Sequence, residues 1–209
     1  NIPHRTETFE AIAQQRGVSG ETLKPQLAAI RAKLLSERQT WPQPRKDDKV
    51  LTSWNGLMIG SLAHAGRLLH EPRYVESAER AAEFILNNMV RDGKLLRTFR
   101  DGQAKLPGYL DDYAYFTQGL VELYKATGDA RWLDHAKKFA NDMIAGFEDQ
   151  KNGGFFFTTN DHEELLVRSK HLGGGGNMPN PNGVAAQVLV ELFQLTGDEN
   201  YRTAAQRTL

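Results

Sequence analysis

The chain has 209 residues, 40% hydrophobic and 25% charged, with 26 basic side chains against 26 acidic ones and no cysteine. That length suffices for one sizeable core or a part of a larger one. The cancelled charge argues against a nucleic-acid or polyanion surface, and the missing cysteine excludes disulfides, thiolate metal sites and thiol chemistry within this stretch. No run is apolar over the length a bilayer requires, and the expected location is cytoplasmic. Asn1-Ile2-Pro3-His4 carries neither a start methionine nor a signal-peptide pattern, and Leu209 falls inside an apparent helix, so both ends read as cuts in a larger protein.

In chain order, residues 4–16 are polar, with Phe9 and Ile12 on one helical face. Ser19-x-x-Thr22 opens a clearer helix over about 21–38, where Leu23, Leu27, Ile30 and Leu34 recur every three or four residues, with Pro25 in its first turn. Its amphipathic pattern predicts that it packs on the outside of something. Residues 39–50 form a loop rich in proline and charge. From Trp54 to about Leu69 the chain is apolar nearly all round, which predicts a helix buried on most sides, with Ser53 as its N-cap and His64 as a core histidine. The next helix, 73–89, is two-faced: one inner helix followed by one outer helix.

That pattern repeats. Tyr74, Trp132 and Tyr201 superpose at the starts of the outer helices, as do Ala78, Ala136 and Ala205, and so do Asn55, Tyr113 and Asn182, each 19 residues earlier. The periods are 58 and 69 residues. Thr-Gly-Asp at 127–129 and 196–198 reads as a C-cap glycine followed by an N-cap aspartate. The links at 92–102 and 152–168 read as strands reaching tight turns, the second turning at Asn160-Asp161 and returning through 165–168. Inner and outer helices in alternation, with short β-hairpins at one end, predict an all-α fold: part of an α/α toroid, a ring that six such hairpins close when complete. The expected organisation is a single domain, a fragment of a larger toroid, with N-terminal helices and a Pro-rich linker over 1–50, hairpin repeats over 51–106 and 107–177, and a truncated repeat over 178–209. Its open flanks would be apolar, to be covered by further sequence or a partner.

Leu106-Pro107-Gly108-Tyr109-Leu110-Asp111-Asp112-Tyr113-Ala114 places two adjacent carboxylates after a Pro-Gly turn, ahead of a helix expected from Tyr113 to Tyr124. Asp111 and Asp112 are candidates for acid/base work or for holding sugar hydroxyls; equally, an acid at a helix start caps backbone N–H groups. Adjacent residues diverge, so the two do not suit the carboxylate pair that glycoside hydrolysis sets about 5–9 Å apart. Trp54, Tyr109 and Tyr113 are candidate stacking faces or packing anchors. Asn55 and Asn182 are candidate ligand contacts or caps. Arg168 and Lys170 would counter a carboxylate or an anionic ligand, or be plain rim charges, and His171 is a candidate acid–base group or a solvated loop histidine. The remaining histidines show no metal spacing, and no cofactor is expected.

The run Asp47-Asp48-Lys49-Val50-Leu51-Thr52-Ser53-Trp54-Asn55-Gly56-Leu57-Met58-Ile59, with Pro107 to Ala114, Gly153-Gly154-Phe155-Phe156 and the pair Arg168-x-Lys170, resembles the C-terminal region of the thioredoxin-domain-containing proteins related to the spermatogenesis-associated thioredoxin-like protein. The resemblance covers nearly the whole chain. It implies a six-hairpin toroid akin to sugar epimerases and glycosidases, with a thioredoxin-like domain elsewhere in the parent as a partner and a sugar or small polar ligand. Members of the group commonly read Asp-Gly-Ala-x-Pro-Ser-x-Asn where this chain has Gly175-Gly176-Asn177-Met178-Pro179-Asn180-Pro181-Asn182, so Gly175 stands in place of an acid. Two functions follow as expectations: a carbohydrate-active or carbohydrate-binding toroid, and a noncatalytic scaffold of the parent protein.

Overall fold

The computed structural model describes residues 6–160, 167–170 and 177–209. The chain divides into two compact units, Asn1–Asp47 and Asp48–Leu209.

The first unit holds α1 (Phe9–Gln15) and α2 (Gly20–Gln39). The Thr8 and Ser19 side chains accept from the backbone N–H groups of Ala11 and Thr22, which fixes both helix starts. Because Ser19 starts α2 at Gly20, Pro25 lies past the first turn and inside the helix. Leu23 is buried, but Ile30 and Leu34, expected on a packed face, are more than half exposed.

The second unit runs β1 (Val50–Leu51), α3 (Thr52–Leu69), α4 (Pro72–Asn88), β2 (Val90–Arg91), β3 (Lys94–Arg100), β4 (Gln103–Pro107), α5 (Leu110–Thr127), α6 (Ala130–Phe147), α7 (Pro181–Thr196) and α8 (Glu199–Thr208). The inner helices form a row in which α5 packs between α3 and α7, while α4, α6 and α8 pack behind as the outer layer. The repeat is visible in the backbone: α3, α5 and α7 end on left-handed caps at His70, Gly128 and Gly197, spaced by the two periods of the sequence. Asp129 and Asp198 then cap α6 and α8 through their side chains.

α3, expected to be buried on most sides, buries Gly56, Ile59, Ala63 and Gly66 but leaves Trp54, Met58, Leu68 and Leu69 more than half exposed. Tyr113, Phe116, Phe139 and Phe147 meet ring to ring between α5 and α6, and burying each such ring stabilises the fold by about 2–3 kcal/mol. Gly56 of α3 lies directly on α5, where a Cβ would sit 2.6 Å from the Tyr115 and Phe116 backbone.

The first link is the expected strand and more. β3 pairs antiparallel with β2 across Asp92-Gly93 and with β4 across Asp101-Gly102, and all four turn residues have positive φ. β1 adds to the same sheet, with Val50 opposite Phe99. The second link contributes an isolated bridge between Glu148 and Phe155 rather than a named strand among the described residues. Of the return expected over 165–168, residues 165 and 166 lie outside the described residues; just past it, Ser169 O accepts the Phe157 N–H at 2.8 Å. The expected turn at Asn160-Asp161 lies partly outside the described residues.

Candidate functional site

The inner helices begin at one end of the second unit, below the two links, and the first turns are tied together there. α5 starts at Leu110, three residues earlier than expected, so Asp111 and Asp112 fall within its first turn rather than ahead of it. Asp112 is fully buried. Its Oδ1 accepts the Ser53 backbone N–H of α3 at 2.9 Å, and its Oδ2 accepts the Tyr109 N–H at 2.9 Å. Leu51, not Ser53, is the N-cap of α3, which leaves the Ser53 N–H to be satisfied by Asp112.

The residue sequence reasoning missed is Arg97. From β3 its guanidinium reaches both acids, with Nη1 at 2.9 Å from Asp111 Oδ1 and 2.8 Å from Asp112 Oδ2, and it lies 4.6 Å from the centre of the Tyr109 ring. A lone arginine on a short strand reads as a solvated rim charge, so only the β1–β3–β4 pairing could have shown that it turns inward. Burial, then Asp111, push the Asp112 carboxyl up to about 7, against the opposing pull of Arg97 and the two backbone donors. Asp111 is the outer member of the pair. Its Oδ1 takes Arg97 and the Asp112 N–H, while Oδ2 has only a 3.5 Å approach from Arg97. Tyr115 donates its hydroxyl to Pro179 O, which ties α5 to the start of α7, and burial with Asp111 and Asp112 pushes that phenol up to about 12.

The three residues superposed by the repeat serve parallel purposes. The Tyr113 hydroxyl accepts the Leu95 N–H of the first link at 3.1 Å. Asn182, buried, accepts the Phe155 N–H of the second link at 2.7 Å and donates to Phe155 O and Lys170 O. Asn55 donates to Leu51 O, holding the short strand that feeds its own helix. Lys170 lies 2.8 Å from Asp149 Oδ2, and this contact, followed by Asn152, holds the Asp149 carboxyl below the usual carboxylate range. Arg168 donates to Thr158 O and stacks 4.1 Å from the Phe156 ring centre. Trp54 is 61% exposed. His171 and Gly175 lie outside the described residues.

Below the first turns, α5 presents Asp111, Gln118, Glu122 and Lys125 on one helical face, each half-buried. Lys125 Nζ lies 2.7 Å from both Glu122 and Glu191 of α7, and His64 of α3 lies 3.1 Å from Glu122. His64 is therefore a partly exposed member of this polar face and not a core histidine. Burial favours the neutral form of Glu122, but Lys125 and His64 outweigh it and hold the carboxyl below its ordinary value. A cavity of about 420 Å³ lies behind Tyr113, between Lys94, Pro107-Gly108, the last turn of α6 and Thr159-Asn160; neither Asp111 nor Asp112 lines it. Among the described residues, no three His, Asp or Glu side chains gather so as to hold a metal ion, and no helix is long and apolar enough to cross a membrane.

No family model matches the chain. Human spermatogenesis-associated protein 20 is 30% identical over 204 residues, 93% of this chain and 26% of that protein, and the rat protein of the same name is 31% identical over 212 residues, 96% and 27% respectively. The chain is a distant homologue of spermatogenesis-associated protein 20. It spans about a quarter of the length of these relatives.

Among solved structures, cellobiose 2-epimerase from Spirochaeta thermophila superposes with a TM-score of 0.64 at 19% identity, over 90% of this chain and 54% of the epimerase. A GH76 α-mannanase from Bacteroides thetaiotaomicron gives 0.61 at 18%, over 79% and 45%. An inactive variant of an α-1,6-mannanase of Salegentibacter, with two consecutive aspartates replaced by asparagine and α-1,6-mannotriose bound, gives 0.60 at 15%, over 76% and 46%. These likenesses establish the fold: an all-α arrangement of the six-hairpin toroid type, with short β-hairpins at its rim.

Proposed function

We propose that the inner face of the α3–α5–α7 row binds a carbohydrate, with Asp111 as the carboxylate that receives sugar hydroxyls. The observation that carries this reading is the polar line Asp111, Gln118, Glu122 and Lys125 on one half-buried face of the central inner helix, joined by His64 and Glu191 from its neighbours. A face that met only other helices would be apolar; one lined with amides and carboxylates suits hydroxyl-rich ligands. The fold is shared with an epimerase and mannanases, and in one of those mannanases two consecutive aspartates were exchanged to give an inactive protein. In this chain the buried Asp112 acts as a positioning residue: with Arg97 it fixes the Asp111 carboxylate and leaves its Oδ2 oxygen the less engaged one. Any chemistry would be proton transfer at the sugar by Asp111.

A second reading is favoured by one observation, that Asp112 is engaged by two backbone N–H groups. On this reading the toroid is a noncatalytic scaffold, and the activity of the parent resides in a thioredoxin-like domain elsewhere in it. Calorimetry and thermal shift on the full-length parent with mono- and disaccharides separate the two. The carbohydrate reading expects saturable binding that Asp111→Asn abolishes without lowering the melting temperature. A wild-type protein that binds none of the sugars leaves only the scaffold.

A further inference from the structure

Asn-Gly occurs three times in the chain, at Asn55-Gly56, Asn152-Gly153 and Asn182-Gly183. Such a pair is reactive, because a following residue without a Cβ lets its backbone nitrogen approach the asparagine side chain. The fold treats the three differently. Asn55 lies in α3 and donates to Leu51 O. Asn182 lies buried in α7, its amide engaged with Phe155 and Lys170. Ring closure at either requires a helical turn to unwind. Asn152 lies in the exposed turn that opens the second link, outside any helix or strand. Its glycine cannot be exchanged: Gly153 has a φ of +76°, and a Cβ there would sit 2.0 Å from Arg207 O. The turn thus obliges the chain to keep a reactive pair at its surface.

We infer that Asn152 is a site of spontaneous deamidation, and that the product loosens the second link. The Gly153 nitrogen, once it leaves Asp149 O and loses its proton to solvent, attacks Asn152 Cγ. The N–Cγ bond forms, the Cγ–Nδ2 bond breaks and ammonia departs, leaving a succinimide. Water opens that ring at either carbonyl, to aspartate or to isoaspartate, and no oxidant or reductant is consumed. Asp149 is the centre of the turn. Its side chain accepts the Lys151 and Asn152 N–H groups and the Asn152 amide, the last at 3.1 Å, and pairs with Lys170. After conversion a carboxylate oxygen replaces that amide donor and repels Asp149. Isoaspartate also adds one methylene to the backbone beside Gly153, where Arg207 leaves no slack. Lys170 transmits the change, because it holds Asp149 with its side chain and Asn182 with its carbonyl.

Peptide mapping by mass spectrometry of the full-length parent, aged in warm, mildly alkaline buffer, tests this. The three pairs share the same following residue, so in urea-unfolded protein they convert at similar rates. In the folded protein the Asn152 peptide is expected to gain the mass of an amide-to-acid exchange at least about ten times faster than the Asn55 and Asn182 peptides. Asn152→Gln, whose longer side chain closes a ring poorly, should abolish that signal. Asn152→Asp reproduces one product outright. In that variant hydrogen exchange at the Gly154 amide, which donates to Arg207 O, should accelerate by about tenfold while the α3–α5 interface is unchanged. Equal conversion at all three pairs in the folded protein, or an Asn152 that survives while Asn55 or Asn182 converts, overturns the site. Unaltered exchange at Gly154 in Asn152→Asp overturns the loosening.

Discussion

The backbone N–H of Ser53 donates to the side chain of Asp112 at 2.9 Å, so the first turn of one inner helix is closed by an acid from the first turn of the next. The same carboxylate closes its own helix through Tyr109 and faces Arg97. Removing it leaves two buried N–H groups and part of a guanidinium without a partner. Asp112→Ala is therefore expected to destabilise the chain by about 3 kcal/mol in urea titrations. Asp111→Ala, at a partly exposed site, should cost only about 1 kcal/mol. Equal losses would mean that the two acids share the structural load.

Proton linkage gives the buried acid a signature. Its folded carboxyl titrates at about 7 against an ordinary 3.8, so between those values the folded chain holds a proton that the unfolded chain has released. The contribution of Asp112 is thus largest below its unfolded value and declines as the pH rises toward 7. Asp149, held low by Lys170, behaves oppositely: its stabilisation is present above the unfolded value and is lost as acid is added below it. Urea midpoints at about pH 4.5 and about pH 7.5 isolate the first effect. Asp112→Asn should remove a decline in stability that the unsubstituted chain shows between them; an identical decline in both proteins refutes the assignment.

Close approach of α3 and α5 depends on one glycine more than on its neighbour. A Cβ at Gly56 would lie 2.6 Å from the Tyr115 and Phe116 backbone, whereas at Gly60 the nearest atom is 3.5 Å away. Gly56→Ala should push the helices apart and cost about 2–3 kcal/mol. Gly60→Ala should be neutral or stabilise by up to about 1 kcal/mol through helix propensity. Thermal melts of the two variants decide the matter.

Asn182 is expected to control the second link. Asn182→Ala removes an acceptor for the Phe155 N–H and donors for the Phe155 and Lys170 carbonyls. Hydrogen exchange at the Phe155 amide should accelerate by at least about tenfold, equivalent to about 1.4 kcal/mol of local protection. Exchange in the α3–α5 interface should stay unchanged; acceleration there as well would make Asn182 a global rather than a local support.

The hairpin repeat was legible because it is written in strong local signals. Thr-Gly-Asp gives a left-handed cap followed by an aspartate cap, and Asp101-Gly102 gives the turn that ends β3, whereas the second turn at Asp92-Gly93 emerges only from the pairing of β2 with β3. Helix starts were less legible: Leu110 begins α5 although Pro107-Gly108 precede it, because Asp112 reaches back to the Tyr109 N–H. The cluster around Asp112 was legible only in part. The acids stand out as neighbours in sequence, but Arg97 and Ser53 join them through strand pairing and helix packing over 15 and 59 residues. No periodicity encodes such contacts. The anchoring by Tyr113 and Asn182 escaped for a related reason: a tyrosine and an asparagine look unrelated until both are seen holding the same backbone position of successive links.

That shared anchoring bears on how such a scaffold can change. The Leu95 and Phe155 amides are fixed points of the rim, each held by a side chain from the first turn of an inner helix. The exposed Asp101-Gly102 turn between β3 and β4 can be lengthened, shortened or exchanged without disturbing helix register, so the rim is free to diversify there over a frame that stays constant.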